Sequence, residues 1–179
     1  MTGNKPDTPC VFCLAADQPS PRLRRSAEAS AEAEASAKAG DAPRPPHPDS
    51  LILFEGKTAY VILNLYPYNN GHLMVVPFRH APSLTSLSAV ELHEMADLTQ
   101  LSETALDEAY HPHGINVGMN LGKPAGAGVP EHVHMHVVPR WNGDTNFMTV
   151  IGTTRVLPED LGQTVSRLRP IFQSLCPSR

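Results

Sequence analysis

The chain has 179 residues, of which 41% are apolar, 18% charged and only 6% aromatic, with 18 prolines, which reads as one ordinary domain diluted by a stretch that does not pack. A net charge of −4 without any Lys/Arg block excludes a dedicated duplex binder or other stable nucleic-acid partner. No run approaches the roughly 20 apolar residues of a membrane span, so no membrane partner is expected.

In chain order, Met1 to Asp7 lacks the apolar core of a signal peptide, and a cytoplasmic chain is expected. Cys10-Val-Phe-Cys13 has the C-x2-C spacing of a zinc half-site, though a redox pair or chance spacing would look the same. Residues 19–49 read as a low-complexity insert. Alanine alternates there with Glu and Ser and offers no large apolar face, and Pro43, Pro45, Pro46 and Pro48 follow. The expected organisation is an N-terminal segment at 1–18, a flexible insert at 19–49 and a folded core at 50–179.

From Leu51 the pattern becomes regular. Leu51–Glu55 and Thr58–Asn64 are β-rich runs about a Glu-Gly-Lys turn, a hairpin. His72–Pro77 is a third strand, ended by proline. Ser83 to about Ala109 carries Leu87, Leu92, Met95, Leu98, Leu101 and Leu106 at helical spacing. His113–Asn120 alternates as a fourth strand. A small-residue loop over Gly122–Pro130 follows, then a fifth strand over His132–Val138. Pro158 opens a final helix to about Leu175. The expected fold is α+β: an antiparallel sheet of about five strands with one long inserted helix and a C-terminal helix.

His132-Val-His134-Met-His136-Val-Val carries the strongest chemical signal. Strand alternation puts His132, His134 and His136 on one face and the apolar residues between them on the other. The plain readings are three satisfied polar residues, a metal-binding face, or a zinc enzyme with three histidine ligands. However, the outer two lie about 13 Å apart along a strand, so one ion suits all three poorly. A division of labour fits better. The glycine-rich run Gly126-Ala-Gly-Val-Pro130 is either an ordinary turn or a cradle of free N–H groups for an anion, with Lys123 and Asn120 nearby. Beside a histidine nucleophile, a cradle points to phosphoryl or nucleotidyl transfer.

The alternation of histidine and apolar residues over His132 to Val138 resembles the motif of the histidine triad (HIT) family. Asn64-Leu-Tyr-Pro-Tyr-Asn-Asn-Gly-His-Leu-Met-Val-Val-Pro-Phe-Arg-His80 resembles the family's strand-turn-strand. Val138 to Phe147 resembles the branch that contains diadenosine tetraphosphate phosphorylases. The resemblance runs from Cys10 to about Leu175, apart from the insert.

That resemblance implies His134 as nucleophile on an α-phosphate, His136 as a hydrogen-bonding partner of the phosphate or leaving group, and Asn120 on a phosphate oxygen. It implies a base pocket at Val11, Phe12, Ile62 and Leu65, a ribose contact at Asn64, and phosphate contacts at Gly128, Val129 and Lys123. Many relatives place an acidic residue where Asn64 stands, and a hydroxyl where Val129 stands; only backbone can serve at the latter. A structural zinc would be held by Cys10, Cys13, His80 and His132. The implied activity is cleavage of dinucleoside polyphosphates with inorganic phosphate as acceptor, which Lys123 or Arg140 would help to bind. Alternatives are a hydrolase of the same family and a nucleotide-binding sensor with weak catalysis. A homodimer is implied by the family. Cys176 reads as an incidental thiol, and His47, His93 and His111 as surface residues. His72 and His113 read as packing or solvent-facing. Arg140, Asp144 and Asn146 would reach the second nucleotide or a phosphate, or else stabilise a turn.

Overall fold

A computed structural model of the chain describes residues 10–17, 51–144 and 159–176. The expected insert at 19–49, Pro158 and Asn146 lie outside the described residues. Five antiparallel strands form one sheet in the order β1-β2-β3-β5-β4, where β1 is Ile52–Glu55, β2 Ala59–Leu63, β3 Leu73–Pro77, β4 Gly114–Gly118 and β5 Met135–Arg140. Among the described residues three α-helices accompany it: α1 (Val11–Asp17), α2 (Ala89–Tyr110) and α3 (Leu161–Leu175). The expected α+β architecture is present. No helix among the described residues is long and apolar enough to cross a membrane.

Alternation along the strands divides the core in two. Leu53, Val61, Leu63, Leu73, Val75, Val133 and Val137 face α2 and α3, whose Met95, Leu98, Leu106, Leu168 and Phe172 complete the larger cluster. Ile52, Tyr60, Ile62, Met74 and Val76 face the opposite way and bury Phe12 of α1. That second face carries the chemistry described below. A helix over Val11–Asp17 was not anticipated from the sequence, because seven residues are too few to show a period.

Several boundaries differ from expectation for local reasons. The long helix begins at Ala89 rather than Ser83. Ser88 and Glu91 form a capping box there, and Leu84–Ser86 makes a separate 3₁₀ turn. The last helix is likewise opened by a capping box, Asp160 with Gln163. The fifth strand begins at Met135 rather than His132. Its ladder with β3 runs only over Leu73↔Val137, Met74↔His136 and Val75↔Met135. Before Met135 the backbone groups find other partners: Val133 N–H donates to the Ala81 carbonyl at 2.7 Å, and the His132 carbonyl accepts from the His134 side chain. The facing β3 ends at Pro77, which has no N–H to offer.

One side chain fastens the long helix to the first hairpin. The Glu94 carboxylate accepts N–H bonds from Lys57 (2.7 Å), Thr58 and Ala59 (3.1 Å), and the Thr58 hydroxyl as well. The turn must come close for this. A Cβ on Gly56 would fall 2.6 Å from Glu94 Oε1 and 2.9 Å from the Ala59 carbonyl, so only glycine fits.

Candidate functional site

His132, His134 and His136 do share one face, and each enters a different environment. His132 is fully buried. Its Nε2–H donates to the Pro77 carbonyl at 2.9 Å, which leaves Nδ1 as a lone pair. That nitrogen lies 3.4 Å from Cys10 Sγ and 3.7 Å from Cys13 Sγ, and His80 Nδ1 lies 3.4 Å from Cys13 Sγ. The four donor atoms all fall within 4.8 Å of one another. Zinc bonded to sulfur at about 2.3 Å and nitrogen at about 2.0 Å in a tetrahedron needs donors roughly 3.3–3.8 Å apart. The set therefore fits that ion, and the carbonyl on the far side of His132 fixes the tautomer that a metal requires.

His134 is 5% exposed and packs against Phe12, with ring centroids 4.8 Å apart. Its Nδ1 stands 2.9 Å from the His132 carbonyl oxygen. A carbonyl only accepts, so Nδ1 carries a proton. Burial holds the imidazole below its ordinary value, although the bond to the carbonyl opposes that shift. The neutral ring consequently presents Nε2 as a bare lone pair, the form a nucleophile needs.

His136 is the only one of the three within the paired strand, opposite Met74 and Gly118. Its ring centroid lies 4.8 Å from that of His134. Its Nδ1 is 3.0 Å from Nε2 of His72, a residue expected only to pack. His72 is 1% exposed, and its Nδ1 accepts the Tyr68 backbone N–H at 3.0 Å. The His72 proton must therefore be on Nε2, donated to His136. That leaves the proton of neutral His136 on its own Nε2. Burial, chiefly, and the repulsion that a second charged ring would meet at His134 push His136 down to about 4. Tyr68 completes the group; its ring stacks on His136 with centroids 5.9 Å apart. The pair thus offers one unprotonated nitrogen beside one N–H donor. Sequence reasoning missed His72 because the signal lies in strand register, which no motif prints: β3 must align Met74 with His136 before His72 can reach it.

The remaining expected residues distribute around this pair. Phe12 and Ile62 are buried in the smaller cluster, and Val129 packs against it. Val11 and Leu65 are open to solvent at 58% and 57%. The Asn64 side chain lies against His72, with Nδ2 3.3 Å from His72 Nδ1, and its Oδ1 accepts the Tyr66 N–H at 2.9 Å. Asn120 Nδ2 donates to the Gly126 carbonyl at 3.3 Å, closing the base of the glycine loop.

The cradle itself is smaller than expected. Gly126 and Ala127 turn their N–H groups inward, onto the Lys123 and Gly122 carbonyls. Gly128 and Val129 donate to no backbone carbonyl among the described residues. Lys123 stands exposed in the 3₁₀ turn Lys123–Ala125. Of the two readings of Arg140, phosphate contact or turn stabiliser, the structure displays the contacts of the second. The guanidinium grips Asp144 through Nε (2.6 Å) and Nη2 (2.7 Å), and Nη1 donates to Asn116. Asn69 joins the same carboxylate at 2.9 Å, so the Arg140–Asp144 unit reads as a tie for the end of β5.

The HIT domain profile matches residues 46–143. The chain is 48% identical over 116 residues to proteins named AP-4-A phosphorylase in two Mycobacterium tuberculosis strains, a match covering 65% of this chain. The chain spans about 60% of the length of those relatives. It is 29% identical over 130 residues to a bis(5'-adenosyl)-triphosphatase of Dictyostelium discoideum, covering 69% of this chain and 87% of that one. Among solved structures, a zinc-bound histidine triad family protein from Mycobacterium smegmatis superposes with a TM-score of 0.59 at 28% identity, covering 81% of this chain and 94% of that one.

Proposed function

The chain belongs to the HIT domain family, and from that premise we propose that it is a nucleotidyl transferase cleaving dinucleoside polyphosphates by phosphorolysis. One observation carries the reading. His134 keeps a bare Nε2 while its neighbour His136, held by His72, keeps a protonated one, with the two ring centroids 4.8 Å apart. Attack and leaving-group stabilisation need that pairing.

The first step is in-line attack of His134 Nε2 on the α-phosphorus. An N–P bond forms, the bond to the bridging oxygen breaks, and the leaving nucleoside polyphosphate departs with the electron pair. His136 Nε2–H hydrogen-bonds that oxygen as its charge grows. In the second step an oxygen of inorganic phosphate attacks the same phosphorus, the N–P bond breaks, and Nε2 recovers its pair. Diadenosine tetraphosphate would give ATP in the first step and ADP in the second. Asn120, Gly128 and Val129 border the phosphate, and Lys123 supplies the cation for the acceptor. Val11, Phe12, Ile62 and Leu65 form the base pocket, and Asn64 meets the ribose. The 48% identity to the named phosphorylases supports this substrate class.

The donor set Cys10, Cys13, His80 and His132 suits a closed structural zinc, which supplies cross-linking rather than an open coordination position. Homodimer formation would use the exposed edge strand β4, where Val117 is 50% exposed.

A hydrolytic reading is favoured by the similarity to the triphosphatase, most of whose length the chain matches. The two share the first step and differ in the acceptor. Incubation with diadenosine tetraphosphate, with and without phosphate, separates them. ADP plus ATP formed only with phosphate supports phosphorolysis; AMP plus ATP regardless of phosphate refutes it.

A further inference from the structure

Four consecutive residues bring the metal cluster and the nucleotide pocket together. Cys10 and Cys13 reach His132 and His80. Between them Phe12 packs edge-on to His132, with centroids 5.5 Å apart, and against His134 at 4.8 Å. Among the described residues, the further ties of α1 to the sheet are modest. Seven residues are far too few for a helix to persist alone. Val11 and Leu14 point to solvent at 58% and 47% exposure. The Tyr60 hydroxyl donates to the Phe12 carbonyl at 3.0 Å, and Ala15 and Ala16 pack only partly on the smaller cluster. The sequence that joins α1 to β1 is the Ala- and Pro-rich run without an apolar stripe.

We infer that the metal cluster is a latch for the nucleotide pocket: an ion on Cys10, Cys13, His80 and His132 pins α1 to the sheet, and Phe12 thereby sets nucleotide affinity. The inference rests on the nucleotide-site reading above. The sheet is held by its own core, whereas α1, with only Phe12, two partly packed alanines and the Tyr60 hydroxyl bond besides, depends on the ion. Removing the ion therefore frees α1 and weakens nucleotide binding without unfolding the strands. Phe12 acts as a positioning residue, because it forms one wall of the pocket and backs the His134 ring.

The test uses the full chain, zinc as the metal and AMP as the ligand. Zinc is stripped with a chelator and then restored. Bound zinc, amide hydrogen exchange and AMP affinity by calorimetry are measured at each stage. Stripping is expected to release the amides of 11–17, to leave those of β3 and β5 protected, and to weaken AMP binding about tenfold or more, the scale of a lost aromatic contact. Zinc restores all three. Phe12→Ala is expected to keep its zinc and to bind AMP about as weakly as the stripped chain, and stripping it should add little, because both changes remove one wall.

Unchanged AMP affinity after stripping overturns the latch, as does an α1 that stays protected without zinc or a chain that binds no zinc when supplied. Simultaneous loss of β3 and β5 protection also overturns it, in favour of a global structural role. If the zinc-loaded chain binds no AMP, the nucleotide-site reading fails and takes the latch with it; the exchange data then still report whether zinc holds α1.

Discussion

His72 Nε2 lies 3.0 Å from His136 Nδ1, and the direction of that hydrogen bond is fixed from behind by the Tyr68 backbone N–H on His72 Nδ1. The proton on neutral His136 is thus placed at Nε2, the nitrogen proposed to meet the leaving oxygen. His72→Phe removes the donor and lets His136 take either tautomer. Turnover is expected to fall about tenfold to a hundredfold, below the full 10²–10⁴ of a lost acid–base group, with KM little changed. His72→Gln keeps an N–H donor and should recover part of the loss. Steady-state kinetics of the two variants checks this; equal loss in both would mean that His72 only fills space.

The shifted imidazoles set a pH dependence. His136 is pushed from its ordinary 6.5 to about 4, and His134 is also lowered, in both cases chiefly by burial. Both rings stay neutral where free imidazole would already be charged. The acid limb of kcat/KM is expected below 6.5, since His134 must keep its lone pair to attack. The stability contribution has the same sense. In the interval from 6.5 down to 4 the unfolded chain binds a proton at His136 that the folded chain does not. The contribution is complete above 6.5 and is lost as pH falls toward 4. Thermal melts and pH–rate profiles over that interval provide the check.

Metal analysis should find about one zinc per chain, the stoichiometry of a closed four-ligand site. His80→Ala removes an exposed ligand from the set and should reduce zinc retention under a competing chelator. A chain purified without chelator that holds no zinc, and takes up none, would remove the ion from this account.

Two local devices fasten α2. Ser88→Ala deletes the hydroxyl that caps Glu91 N–H and should cost about 1 kcal/mol in denaturant unfolding. Gly56→Ala forces a Cβ against the Glu94 carboxylate and the Ala59 carbonyl, and should cost more than Ser88→Ala. The reverse order would mean that the hairpin turn gives way easily.

Much of the fold is legible in the sequence because its signals are local. Strand alternation from Leu51 and the roughly helical spacing of the apolar residues from Leu87 to Leu106 need no partner to be seen. The three histidines announce a shared face for the same reason. What escaped notice depends on chain pairing. His72 gains its role from the β3–β5 register, and the contacts of Arg140 with Asp144 and Asn116 likewise join residues whose pairing no motif prints. The loop N–H groups expected to be free are partly consumed within their own turn. The helix at Val11–Asp17 is held by contacts with distant residues, so its own seven residues carry no sign of it.

The central claim is transfer of a nucleotidyl group through His134 to phosphate. The most direct test is to react the protein with diadenosine tetraphosphate labelled at the α-phosphate, without phosphate, and quench. The account predicts label on the peptide that contains His134, absent in His134→Ala and discharged as ADP when phosphate is added. Protein that never carries label, or label released as AMP equally fast with and without phosphate, would contradict it.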